Sequence, residues 1–208
     1  MPAILLAGTP GTGKTRVGLI LARLTNYVFT TVTWLVLENR LWSSYDPKTY
    51  SFIIDENLFY HYLEEQLPAK RMIIDTHWVE PFARIRSQVE YCIVLRTRPD
   101  QLWRRLEARG WPPSKIADNV EAELVGLIAR EALESFPDRV YEVDTTNKRP
   151  ADTAQEILEA IRARKRTTKP IDWLSETPEQ ELTRILEMLA RARGGGHGIT
   201  PGNTLPRA

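Results

Sequence analysis

A short glycine-rich segment near the start of the chain constrains its fold more than any other feature. Gly8 to Thr15 read GTPGTGKT, which matches the pattern G-x-x-x-x-G-K-[S/T] without a gap. The apolar residues Ile4–Leu6 before it are typical of a buried strand, and a helical pattern follows it. A glycine-rich turn between a strand and a helix lets backbone N–H groups point at a phosphate, next to the positive end of the helix dipole. The segment therefore predicts a phosphate-binding loop rather than an ordinary strand-to-helix turn.

Individual positions of this loop have distinct expected roles. The backbone of Gly11, Thr12 and Gly13 is expected to wrap a β-phosphate, because a Cβ atom at the glycines would obstruct its approach. The Lys14 ammonium is expected to span the β- and γ-phosphates as a point charge, and the Thr15 hydroxyl is expected to ligate Mg²⁺. The loop therefore predicts a nucleoside triphosphate and Mg²⁺ as ligands.

Short apolar segments alternate with helical patterns along most of the chain. Most of these segments are continuously apolar, as expected of parallel strands that are covered on both faces. The predicted strands are Ile4–Leu6, Ile53–Ile54, Met72–Ile74, Cys92–Leu95 and Val140–Val143, with Tyr27–Thr33 as a further candidate. The predicted helices are Thr15–Leu24, Asp55–Leu67, Pro99–Arg109, Ser114–Phe136 with a break near Gly126, and Ala151–Arg164. This alternation predicts an α/β fold with a parallel sheet.

A carboxylate follows the strand predicted over Met72–Ile74. Ligands of open α/β sheets bind at the carboxyl ends of the strands, so Asp75 is a candidate to hold Mg²⁺ through a bound water and to contact Thr15. The alternative is that Asp75 caps a helix over the following residues. His77 is expected to face the same crevice, where it would orient or deprotonate an attacking water. A purely structural histidine is the alternative there.

Phosphoryl transfer also needs cations that neutralise developing charge and a cover that excludes water. Arg105 and Arg109 have the spacing of neighbours on one helix face, just before the turn Gly110–Pro113. This pattern is typical of a lid with two basic groups on its stem. A solvated basic face is the alternative, and we prefer it for Arg104. Further cations expected on the crevice side are Arg96 and Arg98.

The composition favours a globular protein without a membrane span. The 208 residues are 42% hydrophobic, and 28 Lys and Arg nearly balance 27 Asp and Glu, which argues against tight nonspecific nucleic-acid binding by the whole chain. No apolar run approaches the roughly 18 residues of a transmembrane helix, and no basic leader suggests a signal peptide. Cys92 is the single cysteine, which excludes an intramolecular disulfide and a cysteine-rich zinc site. A reducing, intracellular setting is expected.

The character of the chain changes after Arg164. Residues 162–169 carry five cations in eight positions, which either contact RNA phosphates or, as we favour, complement a helix C-terminus. A helix predicted over Pro178–Arg193 has an apolar stripe that either packs back on the core or docks on a partner. The residues from Gly194 to Ala208 have the composition of a flexible linker. We therefore expect one domain over residues 1–165 and an extension over residues 166–208, with a helix at about 178–193.

Taken together, these segments resemble the adenylate kinase isoenzyme 6 family, known in animals as coilin-interacting nuclear ATPase. The resemblance covers roughly residues 1–165 and is carried by the phosphate loop, by Asp75-Thr76-His77 after a strand, and by Arg109-Gly110-Trp111. It implies a P-loop NTPase fold of the nucleoside monophosphate kinase type, with a parallel five-stranded sheet flanked by helices. It also implies a monophosphate-binding subdomain at about residues 31–55 and a lid at about residues 108–118.

Matched by position, the resemblance implies the residues of the site. Those on the ATP phosphates would be Gly11, Gly13, Lys14, Thr15 and Arg16. Arg109 would contact ATP from the lid, whereas Asn147 and Lys148 would lie on the adenine side. Asp75 and His77 would serve Mg²⁺ and hydrolysis. The expected neighbours of the acceptor are Glu38, Leu41 and Tyr45.

The resemblance also implies a function: a kinase that transfers phosphate from ATP to AMP or a related monophosphate, with ATPase activity, acting in maturation of the small ribosomal subunit. Its expected partners are a small-subunit ribosomal protein and the pre-ribosomal particle, without a membrane. Two alternatives stay open: an assembly-factor ATPase with a negligible kinase role, and a small-molecule kinase of the same fold for a sugar or shikimate-like acceptor. The cytoplasm is the default location, and the nucleus is the alternative for a eukaryotic source.

Overall fold

A parallel β-sheet organises the part of the chain that the structure, a computed structural model, describes: residues 3–47, 51–67 and 70–194. The strands are, in chain order, β1 (Ala3–Ala7), β2 (Val28–Thr31), β3 (Trp42–Asp46), β4 (Ser51–Ile54), β5 (Met72–Asp75), β6 (Val89–Arg96) and β7 (Val140–Asp144). Five of them form the parallel sheet in the order β2-β5-β1-β6-β7, whereas β3 and β4 pair as a separate antiparallel hairpin. The expected α/β fold with a parallel five-stranded sheet is confirmed.

Helices follow most of the strands, as the alternating pattern predicts. They are, in chain order, α1 (Lys14–Thr25), α2 (Val32–Glu38), α3 (Glu56–His61), α4 (Pro99–Glu107), α5 (Pro113–Leu124), α6 (Leu127–Ser135), α7 (Pro150–Arg162), α8 (Trp173–Glu176) and α9 (Glu179–Gly194). A π-helical turn over Tyr62–Gln66 continues α3, and 3₁₀ turns occupy Glu80–Gln88. The predicted break near Gly126 separates α5 from α6. Among the described helices, none combines the length and apolar character that crossing a membrane requires.

The sheet is covered on both faces, which explains why its strands are continuously apolar. All residues of β1 are buried. Because side chains alternate along a strand, Ile4 and Leu6 share a core cluster with Leu21 of α1 on one face. Leu5 lies on the other face, in a cluster with Phe59 of α3. The sheet is therefore the middle layer between two helical layers, and its strand ends define the edge at which the loops meet.

Two strand predictions need correction. Ile53–Ile54 belongs to a strand, but β4 pairs antiparallel with β3 outside the main sheet, and the Ile53 side chain is 51% exposed. An apolar pair alone does not reveal which strand it will join. The candidate strand Tyr27–Thr33 extends only from Val28 to Thr31, because the Thr31 hydroxyl accepts a hydrogen bond from Trp34 N (3.0 Å) and caps α2.

The segment after α7, which contains α8 and α9, packs back on the core. Trp173 of α8 and Ile185 and Leu189 of α9 are buried in a cluster with residues of α4 and α5. The apolar stripe of the helix predicted over Pro178–Arg193 therefore packs back on the core, which was the first of the two alternatives. Within the basic run, the Arg166 guanidinium lies 3.9 Å from the centre of the Tyr91 ring, so this cation packs against the protein. The glycine-rich tail over residues 195–208 lies outside the described residues.

Candidate active site

The phosphate loop connects β1 to α1 at the carboxyl edge of the sheet. Gly8 has a φ of +136°, and a Cβ atom there would lie 2.5 Å from the Leu95 carbonyl oxygen at the end of β6. A side chain is therefore excluded both by the backbone conformation and by the neighbouring strand. This close approach holds the start of the loop against the centre of the sheet.

Lys14, at the first position of α1, lies folded into the loop. It is 9% exposed, and its Nζ atom donates to the carbonyl oxygens of Gly8 (2.8 Å) and Thr9 (3.3 Å). Its Nζ is 3.9 Å from Oδ1 of Asp75. Burial lowers the pKa of Lys14 below its usual value, while the charges of Asp75 and Glu123 oppose this shift. The ammonium is thus held by a few oxygen atoms in a site largely stripped of water.

Asp75 meets the loop because β5 and β1 are parallel neighbours. Leu6 and Asp75 are partners in the strand register, and Thr76 N donates to Leu6 O (3.1 Å). The Thr15 hydroxyl donates to Oδ2 of Asp75 at 2.8 Å. A loop follows Asp75, and no helix begins there, so its carboxylate faces the phosphate loop instead of capping a helix. Hydroxyl and carboxylate oxygens are the hard ligands that Mg²⁺ prefers, so this pair fits a magnesium site.

His77 lies on the loop that follows β5 and faces the same cavity. Loss of solvation from neighbouring protein atoms lowers the pKa of this exposed side chain, and the charge of Lys14 lowers it further, whereas Asp75 and Glu131 oppose the change. Glu131 of α6 holds the loop in place, since its Oε1 atom accepts from Val79 N (2.7 Å) and from Glu80 N (2.6 Å). The histidine is therefore carried by a restrained loop, and its neutral form is favoured near neutral pH.

The two arginines expected on the lid stem differ in their surroundings. Arg105 donates to Thr145 O (2.9 Å), and its other terminal nitrogen reaches Gly11 O (3.4 Å), so it joins the phosphate loop to the loop after β7. Burial lowers its pKa. Arg109 is exposed and lies in the turn after α4, which ends at Glu107, rather than on one helix face with Arg105. Its side chain makes no hydrogen bond or ion pair with the rest of the described chain.

Arg96 and Arg98 are not on the crevice side, contrary to expectation. Arg96 is 1% exposed and pairs with Glu123 (2.8 Å) and Glu142 (2.7 Å). Arg96 is the last residue of β6, and its side chain packs against α5 instead of extending beyond the end of the strand. Arg98 pairs with Asp100 and with Glu181 of α9. Arg104 is exposed, as preferred from the sequence.

A cavity of about 680 Å³ brings most of the candidate residues together. Its walls include Gly11, Thr12, Gly13, Lys14, Thr15, Arg16, Asp75, His77, Arg105, Arg109 and Lys148. Thr31, Val32 and Thr33 form a further part of the wall, from the start of α2. Within the described chain, Asn147 is not part of this wall; its Oδ1 atom accepts from Gln101 Nε2 at 2.6 Å. The expected neighbours of the acceptor, Glu38, Leu41 and Tyr45, also do not line the cavity within the described chain.

Three residues of this region escaped the sequence reasoning. Thr97 and Thr145, which follow β6 and β7, share a hydrogen bond between their hydroxyls (2.7 Å), and the Thr145 hydroxyl also contacts Thr12 O (3.0 Å). Their position after apolar strands was a usable signal. Glu123 accepts from the Thr9 hydroxyl at 2.7 Å. Nothing in its local sequence distinguishes it from the other acidic residues of α5.

Known proteins resemble this chain in sequence and in fold. A family model described as an AAA domain matches residues 4–126. A provisionally named adenylate kinase of Saccharolobus islandicus is 36% identical over 89% of this chain and 95% of its own length. The adenylate kinase isoenzyme 6 homolog of Schizosaccharomyces pombe is 36% identical over 67% of this chain and 79% of its own length.

Among solved structures, shikimate kinase from Bacteroides thetaiotaomicron is similar in fold, with a TM-score of 0.51 and 20% identity over 77% of this chain and 98% of that one. This likeness concerns the fold alone, which is that of the P-loop kinases. The sequence matches go further, because they cover 89% and 67% of this chain at 36% identity. The chain therefore belongs to the adenylate kinase-like family of P-loop phosphotransferases, as its sequence motifs predicted.

Proposed function

We propose that this protein transfers the γ-phosphoryl group of ATP to AMP or a related nucleoside monophosphate, and that it also hydrolyses ATP. The observation that carries the proposal is the placement of Lys14 and the Thr15–Asp75 pair in the wall of one cavity of about 680 Å³. That volume is within the range of small-molecule sites. Membership of the adenylate kinase-like family supports the same chemistry.

The phosphate end of the site would be formed by the loop and its cations. Backbone N–H groups from Gly11 to Thr15 would cradle the β-phosphate, and Lys14 would exchange its contacts with loop carbonyls for phosphate oxygens. Thr15, and Asp75 through a water, would hold Mg²⁺. When bound, this ion neutralises charge on the β- and γ-phosphates. Arg16 lies in the same wall and would add a further positive charge.

Arg105 and Arg109 would have different tasks. Arg109 is exposed, lines the cavity and has no partner in the described chain, so it would contact the transferred phosphate directly. Arg105 would hold Gly11 and Thr145 in place while facing the cavity. Lys148, which lines the cavity, would lie on the adenine side of the site, as the family resemblance implies, whereas its neighbour Asn147 would take part only if it turned away from Gln101. Catalysis would then consist of positioning and charge stabilisation, as in other phosphoryl transfers.

Water as an acceptor would account for ATPase activity. His77 faces the cavity close to Asp75 and Lys14, and loss of solvation together with the Lys14 charge lowers its pKa and so favours its neutral form. A neutral imidazole can orient a water or accept its proton. Through the family resemblance, we extend the proposal to maturation of the small ribosomal subunit, with a small-subunit ribosomal protein as partner.

Measurement of nucleotide turnover with and without AMP tests the proposal. A kinase produces ADP rapidly only when AMP is present, in a ratio of two ADP per AMP consumed. ATP turnover that ignores AMP but rises when a small-subunit ribosomal protein is added would replace the kinase by an assembly-factor ATPase. AMP that neither binds nor accelerates turnover, together with turnover on a sugar or shikimate-like acceptor, would favour a small-molecule kinase.

A further inference from the structure

A buried carboxylate connects three distant parts of the chain. Glu123 of α5 is 2% exposed, and its Oε2 atom accepts from the Thr9 hydroxyl at 2.7 Å. Its Oε1 atom accepts from Arg96 Nε (2.8 Å), Thr97 N (3.0 Å) and Trp173 Nε1 (3.1 Å). Each carboxylate oxygen is thus satisfied, and the charge is balanced by a buried guanidinium.

One of these contacts reaches the phosphate loop itself. Thr9 is 2% exposed, and its carbonyl oxygen accepts from Lys14 Nζ (3.3 Å), from Thr12 N (3.3 Å) and from the Thr12 hydroxyl (2.9 Å). The Thr9 side chain is therefore held by Glu123 while its main chain organises the turn that carries Lys14. A shift of Glu123 would move the donors and the cation that surround a bound phosphate.

Another contact reaches the C-terminal segment, residues 171–194. Trp173 is 5% exposed and donates its indole N–H to Glu123, and the Ile171 carbonyl accepts from Arg96 (3.1 Å). The same segment is fastened to α5 by Ile185 and Leu189 and by the ion pair of Arg193 with Glu121. Docking of this segment therefore completes the hydrogen bonds of the carboxylate that holds Thr9.

We propose that Glu123 is a positioning residue for the phosphate loop, and that residues 171–194 raise the affinity of the loop for nucleotide through the contacts Trp173–Glu123–Thr9. The inference rests on the proposed function, because it assumes that the loop binds a nucleoside triphosphate. Without Trp173 or Thr9 the carboxylate loses a donor, and the loop is held less firmly in the geometry that binds phosphate. Preorganised donors bind more tightly than mobile ones because less conformational freedom is lost on binding.

The test measures binding of ATP, by calorimetry, to the full chain and to variants at the two ends of the contact series. Thr9→Val and Trp173→Phe each remove one donor to Glu123 and preserve most of the volume. We expect each to weaken ATP binding by about threefold to tenfold, less than the full effect of one hydrogen bond to a charged group, because only part of that effect is transmitted to the loop. Thr9→Ser keeps the hydroxyl and should restore binding to within about twofold of the unsubstituted protein.

Trp103→Phe is the matched control for Trp173→Phe. Trp103 lies in the same apolar cluster but contributes no hydrogen bond to Glu123, so ATP affinity should be unchanged even where thermal stability falls. A second readout is the indole N–H resonance of Trp173 in NMR spectra. It should shift when ATP binds, and it should no longer respond in Thr9→Val.

The outcomes separate the inference from the proposed function. Absence of ATP binding by the unsubstituted chain would refute both. Normal binding by Thr9→Val and Trp173→Phe, or an equal loss in Trp103→Phe, would refute the inference and leave the proposed function intact. If Thr9→Val does not fold cooperatively, the comparison of Trp173→Phe with Trp103→Phe decides.

Discussion

At the scale of single residues, similar side chains have opposite surroundings. Arg96 is buried and completely paired by two carboxylates, whereas Arg109 is exposed and without a partner among the described residues. A paired guanidinium stabilises the fold, while an unpaired one beside a cavity can meet a phosphate. Lys14 is between these cases, because it is buried but bonded mainly to carbonyl oxygens that a phosphate can replace.

Lys14→Ala should abolish nucleotide turnover. The ammonium is the buried cation closest to the expected phosphates, and loss of such a group costs about a hundredfold or more in rate. Steady-state ADP production measures this effect. Lys165→Ala is the control, because Lys165 is exposed and lies outside the cavity, and it should retain full activity. Residual turnover above a tenth of normal in Lys14→Ala would contradict the role of this lysine.

His77→Ala should preserve ATP binding and slow ATP hydrolysis by about a hundredfold, a typical contribution of a general base. Calorimetry measures the binding, and phosphate release in the absence of AMP measures the hydrolysis. His61→Ala at the exposed end of α3 is the control and should change neither quantity. Undiminished hydrolysis in His77→Ala would show that the imidazole has no part in activating water.

At the scale of elements, the site depends on how closely β1 and β6 approach each other at their carboxyl ends. Gly8 directly follows β1, and a Cβ atom there would lie 2.5 Å from the carbonyl oxygen of Leu95, next to the last residue of β6. The parallel register of these strands, with Ala7 opposite Val94, brings the phosphate loop beside the loop that follows β6. The phosphate loop is therefore shaped by the sheet as well as by its own glycines.

Gly8→Ala should lower the free energy of unfolding by about 3 kcal/mol or more, since backbone strain and a steric clash add. Gly110→Ala separates the two causes. Gly110 also has a positive φ (+70°), but nothing lies within 4 Å of the position of its Cβ, so its cost should be only about 1–2 kcal/mol. Denaturant unfolding of both variants measures the difference. If both variants lowered the free energy of unfolding equally, the Leu95 carbonyl would have to move aside without an energetic cost.

At the scale of the whole molecule, the C-terminal helix is part of the packed structure. α9 covers α5 with one apolar stripe, and Ile185 is 3% exposed, whereas its neighbour Leu186 is 49% exposed. The nearly neutral total charge of the chain does not mean that its charges are evenly distributed. The total combines buried pairs such as Arg96 with Glu123, exposed pairs on the helices and a basic cavity wall.

Ile185→Ala should destabilise the protein by about 2–4 kcal/mol, because it leaves a cavity between α9 and α5. Leu186→Ala, one position along the same helix, should cost no more than about 0.5 kcal/mol. Thermal or denaturant unfolding of both variants gives the comparison. Similar small effects for both would contradict the packing of α9 on the core.

Local patterns predicted a large part of this molecule. The phosphate loop, the parallel strands and most helices are visible in short stretches because strand and helix periodicity are local properties of the backbone. The Thr15–Asp75 contact was also predictable, since parallel strands bring their carboxyl ends to one edge. The direction of β4 was not, because pairing partners are chosen by tertiary packing.

The sequence by itself determined that this chain has a phosphate-binding loop in an α/β fold and that Asp75 lies beside Thr15. Only the tertiary structure decided which charges are available. Arg96 finds its partners 27 and 46 residues away, and Trp173 reaches Glu123 across 50 residues. Such pairings depend on which helices pack together, and burial makes an unpaired charge so costly that the fold must satisfy it internally. Packing therefore places Arg96 in the core and Arg109 at the cavity, although no local sequence pattern distinguishes the two.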